Sequence, residues 1–281
     1  MIRRAKGVIF ISICAIATLI AVSLLFVIVG VIFSKGISAF SVTFLTEESK
    51  NFGQTGGIFF QILGTIILIT SAGILSLPIA LGTAVYQTEY LWPSFRRAAS
   101  IVLYALNGVP TIIFGLFGYA VFGLLLNVGV SWGSGAFILA IMILPTLTVS
   151  IKEAIDSIPV KYRESGLSLG FSKWKLIRVI IIPHSFFGIV TGLLLGLARA
   201  AGETAAIMFT ATVFSGVNVP RSFHEPITTL QTHILVLAQE ALNPQARTNA
   251  WGAALALVMI VFFISIVSML IRSRIRLEAE R

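Results

Sequence analysis

Residues 152–183, KEAIDSIPVKYRESGLSLGFSKWKLIRVIIIP, form the one long charged stretch in the chain, set between apolar runs each long enough to cross a bilayer. Asp156, Ser157 and Pro159 supply a helix start, because a short polar side chain accepts an orphan backbone N–H and proline loses nothing at a first helical position. Gly170 suits the end of that helix, since it takes the left-handed conformation without a Cβ clash, and Ser172 then caps a second helix beginning near Lys173. The stretch reads as helix, tight turn, helix. On the second helix Trp174, Ile177 and Ile181 share a face while Lys173, Lys175 and Arg178 line another. An apolar edge on a basic body is suited to docking in a groove of a soluble partner.

The rest of the chain is apolar. Of 281 residues 57% are hydrophobic and 11% charged, which lies outside the soluble globular range and places the chain among membrane proteins as a single domain, residues 1–281. The net charge of +9 does not point to nucleic acid, because the basic residues sit beside the apolar runs and not in an aromatic-interleaved patch. Cys14 is the only cysteine, which excludes an internal disulfide, a metal cluster or a CxxC redox pair. His224 and His233 lack partners at ligand spacing and read as polar loop residues. Arg3, Arg4 and Lys6 precede an apolar run over residues 8–33, too long for the roughly 7 to 15 residues of a secretory signal. An uncleaved membrane helix is expected.

Charge-free runs predict six membrane helices, at residues 8–33, 58–86, 98–126, 135–151, 184–214 and 250–271. The third and fourth share one run, split at the glycine cluster of residues 127–135. With the N-terminus inside, the inner segments hold Arg96, Arg97, Lys152, Lys161, Arg163, Lys173, Lys175, Arg178, Arg272, Arg274, Arg276 and Arg281 besides the N-terminal three. The outer ones hold Lys35, Lys50, Arg221 and Arg247. Lysine and arginine are retained inside, so both termini and residues 152–183 are expected in the cytoplasm of a prokaryotic cell membrane. Pro78, Gly108, Pro110, Gly115 and Gly118 in the second and third helices serve either as hinges or as packing sites. Residues 215–249 repeat Ile227, Leu230, Ile234 and Leu237 at helical spacing, either along the membrane surface or over the outer mouth of a pathway.

The fifth helix holds Arg199 and Glu203 inside its apolar length. Each ionisable residue costs about 2.5 to 3.5 kcal/mol at a helix centre, so both are expected to face protein or water. Four apart, they share a face and can pair. Gly188, Gly192, Gly196, Ala200 and Thr204 form a stripe of small residues beside them, open to close approach of another helix. Two readings stand: an ion pair that holds packing, or an anion path in which the guanidinium donates to a tetrahedral oxyanion and the carboxylate accepts from its O–H.

Two resemblances narrow these readings. Glu164, Ser165 and Gly166, then Gly170, then Ile180, Ile182 and Pro183 resemble the EAA loop of the membrane subunits of ATP-binding-cassette importers. Ser165 and Gly166 stand where that pattern has alanines, and Ile182 where it has leucine. The resemblance implies an all-α polytopic permease with its core at residues 56–275, whose loop fits a cleft of a separate ATPase through Glu164, Gly170, Trp174 and Pro183. Residues 198–205, Ala-Arg-Ala-Ala-Gly-Glu-Thr-Ala, are similar to the signature of the phosphate importer's membrane subunits, PstA and PstC, and the short N-terminus favours the PstA type. Gly56-Gly57-Ile58, Gly64-Thr65 and the glycine-rich stretch at residues 108–118 share the likeness. It implies phosphate passage at Arg199, Glu203 and Thr204. It also implies a PstC-like sister permease, PstB-like ATPases and an external PstS-like binding protein, with surrounding lipid and no cofactor in this chain.

The alternatives are a permease for another oxyanion and an ion-coupled transporter without an ATPase, although no internal repeat supports the latter. Gly166-Leu167-Ser168-Leu169-Gly170 matches a nucleophile elbow only as a string, because a charged loop between membrane helices is not a strand-turn-helix. The sequence has no H-E-x-x-H and no G-x-x-x-x-G-K-[ST], so ATP hydrolysis is expected in a partner.

Overall fold

The computed structural model describes residues 2–213, 219–239 and 243–279. Residues 214–218, where the reading above ends the fifth span and begins the outer segment, and Arg281 lie outside the described residues.

The apolar runs become helices. In chain order they are α1 (Ile2–Gly36), a short α2 (Val42–Thr46), α3 (Phe59–Val85), α4 (Pro93–Asn107), α5 (Thr111–Gly118) and α6 (Trp132–Asp156). There follow α7 (Val160–Ser168), α8 (Lys173–Leu176), α9 (Ile182–Ala201), α10 (Ala205–Thr210), α11 (Leu230–Gln239) and α12 (Pro244–Ala279). A two-stranded ribbon, β1 (Ser49–Lys50) against β2 (Thr55–Gly56), links α2 to α3. Among the described residues five helices are long and apolar enough to cross a membrane, and six if the bent pair of α4 and α5 is counted as one span.

Three expectations about the spans are corrected. The third span is not one helix: it bends by 86° between α4 and α5, because Gly108 caps α4 and Pro110 can neither donate an N–H nor leave Val109 in helical conformation. It continues beyond α5 as a π-helix, Tyr119–Leu125. The fifth span begins at Lys173, since α8, a π turn (Ile177–Ile181) and α9 are continuous to Ala201. Pro183 lies inside that helix, and the wider turn just before it, in which the Ile182 N–H bonds the Ile177 carbonyl, absorbs the proline ring. It also ends early, at Ala201, so Glu203 is not on it.

The core is built on α6, which packs against both α3 and α9. Its most apolar stretch is 67% buried, whereas that of α1 is 0% buried, so α6 is the central post and α1 an outer helix touching mainly α12. One apolar cluster joins Leu68, Leu139, Ile143 and Ala201, and a second, nearer the charged loop, joins Ala84, Leu147, Ile151, Ile177 and Ile181. Lipid is as apolar as a leucine core, so small residues that admit close approach hold such helices together. The stripe on α9 does this: a Cβ at Gly192 would lie 2.9 Å from that of Ser150, and one at Gly188 would collide with Ala154, both on α6. Gly115 and Gly118 are packing sites of the same kind, seating α5 on α10, whereas Gly108 stands at the bend.

Within the outer segment, α11 packs into the protein. Leu230 and Leu237 of α11 are fully buried, Leu230 packing with Phe44 and Ile58, and α11 lies against α12. His233 is buried too, not a loop residue, and burial lowers its pKa from 6.5 to about 4.

Candidate functional site

Two helix breaks meet at one level. α4 stops at Asn107 and α9 at Ala201, and between them Pro145 and Thr146 stand in the middle of α6. Arg199, one turn from the end of α9, does not pair with Glu203. Its Nη1 donates to Thr146 Oγ1 at 2.7 Å and to Asn107 Oδ1 at 3.2 Å, and Thr146 Oγ1 donates to Asn107 Oδ1 at 2.8 Å. The physical reason is the break: Gly202 caps α9, the Glu203 N–H bonds back to the Ala200 carbonyl, and the chain re-enters a helix only at Ala205. Four-residue spacing no longer sets a shared face once the helix has ended.

The partners of Arg199 are neutral. Its Nη2 and Nε hold no hydrogen bond among the described residues, and the half-buried Glu203 and Thr204 likewise hold none through their side chains. A guanidinium fixed by one nitrogen at the edge of a helix break keeps Nη2 and Nε as donors not engaged among the described residues.

Sequence reasoning missed Asn107 and Thr146, and it missed Gln231. Gln231, buried on α11, donates from Nε2 to the Ala201 carbonyl at 2.6 Å and accepts from Thr65 Oγ1 at 3.3 Å. It satisfies an orphan carbonyl at the end of α9 and ties the break to α3 and α11. Its signal was a polar residue within an apolar stripe.

Below the cluster, α6 and α9 enclose a cleft of about 550 Å³ lined by Ser150, Glu153, Ser157, His184, Thr191 and Leu195 among others. Thr191 Oγ1 is buried there without a hydrogen-bond partner among the described residues.

The charged loop is the second candidate surface. The Phe171 N–H bonds the Gly166 carbonyl and the Gly170 N–H bonds that of Leu167, so α7 ends in a Schellman turn with Gly170 at φ +74°. Ser172 caps the next helix through the Lys175 N–H. Gly166 is buried, and a Cβ there would lie 2.6 Å from Leu176 Cδ1, so α7 presses on the start of the long helix. Glu164, Ser165, Ser168 and Leu169 line an open outer hollow, and Trp174 is 66% exposed. Trp174 therefore does not share a face with Ile177 and Ile181, which are buried in the core. Pro183, also exposed, stands about 13 Å further along the helix and away from this surface.

Residues 76–276 match the family described as binding-protein-dependent transport system inner membrane component. The chain belongs to that family. Over 267 residues it is 33% identical to the probable phosphate transport system permease protein PstA of Methanocaldococcus jannaschii, covering 94% of this chain and 92% of the relative. Over 219 residues it is 32% identical to phosphate transport system permease protein PstA 1 of Mycobacterium tuberculosis, covering 77% and 71%. In fold it is similar to a chain of a bacterial alginate ABC transporter (TM-score 0.62, 15% identity, 91% and 92% covered). A chain of the inward-facing MetNI methionine ABC transporter gives 0.58 at 14% identity, covering 77% and 94%. The fold is that of an importer permease, and the matched segment contains the charged loop and both helix breaks.

Proposed function

We propose that this chain is one membrane-spanning subunit of an ATP-driven importer of inorganic phosphate, PstA-like, and that Arg199 is its anion contact. The observation that carries the reading is the state of Arg199: tied by one nitrogen to neutral Asn107 and Thr146, unneutralised by Glu203, with donors to spare. The names of the relatives support phosphate as the oxyanion. Glu203 and Thr204, on the break itself, would accept from the P–OH and donate to an oxygen of the passing ion.

In this reading the surface around Glu164, Gly170 and Trp174 docks a separate ATPase on the cytoplasmic side, Pro183 shapes the helix behind it, and both termini are cytoplasmic. A PstC-like sister permease completes the pathway and an external PstS-like protein delivers the ion. The cleft between α6 and α9, reaching Leu195 one turn from Arg199, is the inner end of the route. Cycles of ATP binding move the loop, and the long helix carries that movement toward the break.

The test is phosphate uptake per assembled complex, with assembly scored by the co-purifying ATPase. Arg199→Lys keeps the charge but loses the planar fork, so it is expected to assemble normally and transport at about a tenth of the wild-type rate or less. Exchanging Arg199 and Glu203 is expected not to rescue. Wild-type uptake from the exchanged variant would refute the assignment.

A further inference from the structure

The loop is fastened to the membrane helices at a point outside the docking surface. Arg163, on α7, lies beside Glu89 in the π turn (Tyr86–Tyr90) that ends α3, and both side chains are largely buried, 18% and 11% exposed. The guanidinium donates from Nε (3.3 Å) and Nη2 (3.2 Å) to Glu89 Oε1. Nη2 also donates to the Ile155 carbonyl at 3.0 Å and Nη1 to the Ile158 carbonyl at 2.8 Å. Those carbonyls belong to the last turn of α6 and the link that follows it. One side chain thus joins α7 to the inner ends of α3 and α6, while Gly166 on the same short helix rests on the start of the long α8–α9 helix.

The joint is polar, directional and sheltered. An apolar contact between α7 and the body would let the loop slide, but a buried charge pair that also holds two carbonyls resists sliding, because separating it strands a charge away from water. The next residue along α7, Glu164, faces outward into the open hollow.

We propose that Arg163 and Glu89 are the positioning pair through which movement of the loop reaches α3 and α6, so that breaking it uncouples transport from ATP hydrolysis. This rests on the reading that an ATPase docks on α7 and α8. A purely structural pair would change how much complex is recovered; a transmitting pair changes what each recovered complex does.

The experiment compares wild type, Glu89→Gln, Arg163→Lys and the double variant in proteoliposomes, with the ATPase and the external binding protein present. It reads phosphate moved per ATP hydrolysed. Glu89→Gln keeps shape and removes the charge, and Arg163→Lys keeps charge but offers its donors from one nitrogen in place of the three that reach Glu89, Ile155 and Ile158. Each is expected to lower the ratio about fivefold or more, the low end of couplings between distant sites, and the double variant to fall no further than the worse single one. An unchanged ratio in complexes recovered at any yield would overturn the proposal, as would additive losses. Absence of an ATPase from the wild-type preparation would overturn the docking reading and this one with it. A coupled wild type whose ratio the variants leave unaltered overturns this one alone.

Discussion

Replacing Thr146 by valine tests whether Arg199 is held by neutral partners or by Glu203. Valine matches threonine in shape, so α6 and its packing are kept while Oγ1 is lost. That atom accepts from Arg199 Nη1 at 2.7 Å and donates to Asn107 Oδ1 at 2.8 Å, so two hydrogen bonds go and only the longer 3.2 Å bond to Asn107 remains. A hydrogen bond to a charged group contributes roughly 1.5 to 3 kcal/mol. Arg199 is half-exposed and water replaces part of the loss, so the low end applies. About 1.4 kcal/mol is a factor of ten in an equilibrium. The fixed orientation of the guanidinium should therefore become about tenfold less populated, and the KM for phosphate should rise by a similar factor with the amount of assembled complex unchanged. The assay is initial uptake against external phosphate in cells or proteoliposomes. A wild-type KM and maximal rate from Thr146→Val would refute the claim that this hydroxyl positions Arg199, and would revive the ion pair with Glu203.

Gly170 has φ +74° and open space around its Cα, so the constraint there is conformational and not steric. Gly170→Asn should leave ATPase co-purification near wild type while Gly170→Val, at a cost of at least about 1 to 2 kcal/mol, should loosen it; equal behaviour would contradict the turn. His233, with its pKa lowered to about 4, binds fewer protons when folded than unfolded between about pH 4 and 6.5, so stability should rise with pH across that window. The loss on acidification is on the order of 3 kcal/mol, and His233→Gln should flatten the dependence of thermal stability on pH between 4 and 7; an unchanged slope would reject it. Cysteine at Ser165 should react with an impermeant reagent only in opened cells and cysteine at His224 in intact or outer-membrane-permeabilised ones, and the reverse pattern would invert the topology.

The helices, the loop turn and the glycine stripe were legible because each depends on residues close in sequence: run length, a glycine at one position, spacing of three or four. The polar cluster around Arg199 was legible only by half. Arg199 announced itself as a charge in an apolar run, but its partners lie 92 and 53 residues away in the chain, and no local pattern selects them. Asn107 gave a faint signal, an amide immediately before a Gly-Val-Pro break in a charge-free stretch. Glu203 misled because an i, i+4 rule was applied across Gly202, where the helix had already ended. Arg163 was counted only as one more inner positive charge, and nothing beside it in sequence points to Glu89, 74 residues earlier.

The continuity of the fifth helix has a mechanical meaning. The second helix of the loop and the fifth membrane helix look separate because Pro183 sits where a helix is expected to stop, yet the chain widens into a π turn and continues. From Lys173 to Arg199 at 1.5 Å per residue is about 39 Å of unbroken helix. Its lower end carries the exposed Trp174 and its upper end holds Arg199 against Asn107 and Thr146. If the proposed docking surface and anion contact are as argued above, one continuous helix links them without a relay of side chains. Between those ends Gly188 and Gly192 seat the helix against Ala154 and Ser150 of α6 more closely than any Cβ would allow. In the proposed coupling, the Arg163–Glu89 contact is what obliges the inner ends of α3 and α6 to follow that helix when the loop moves.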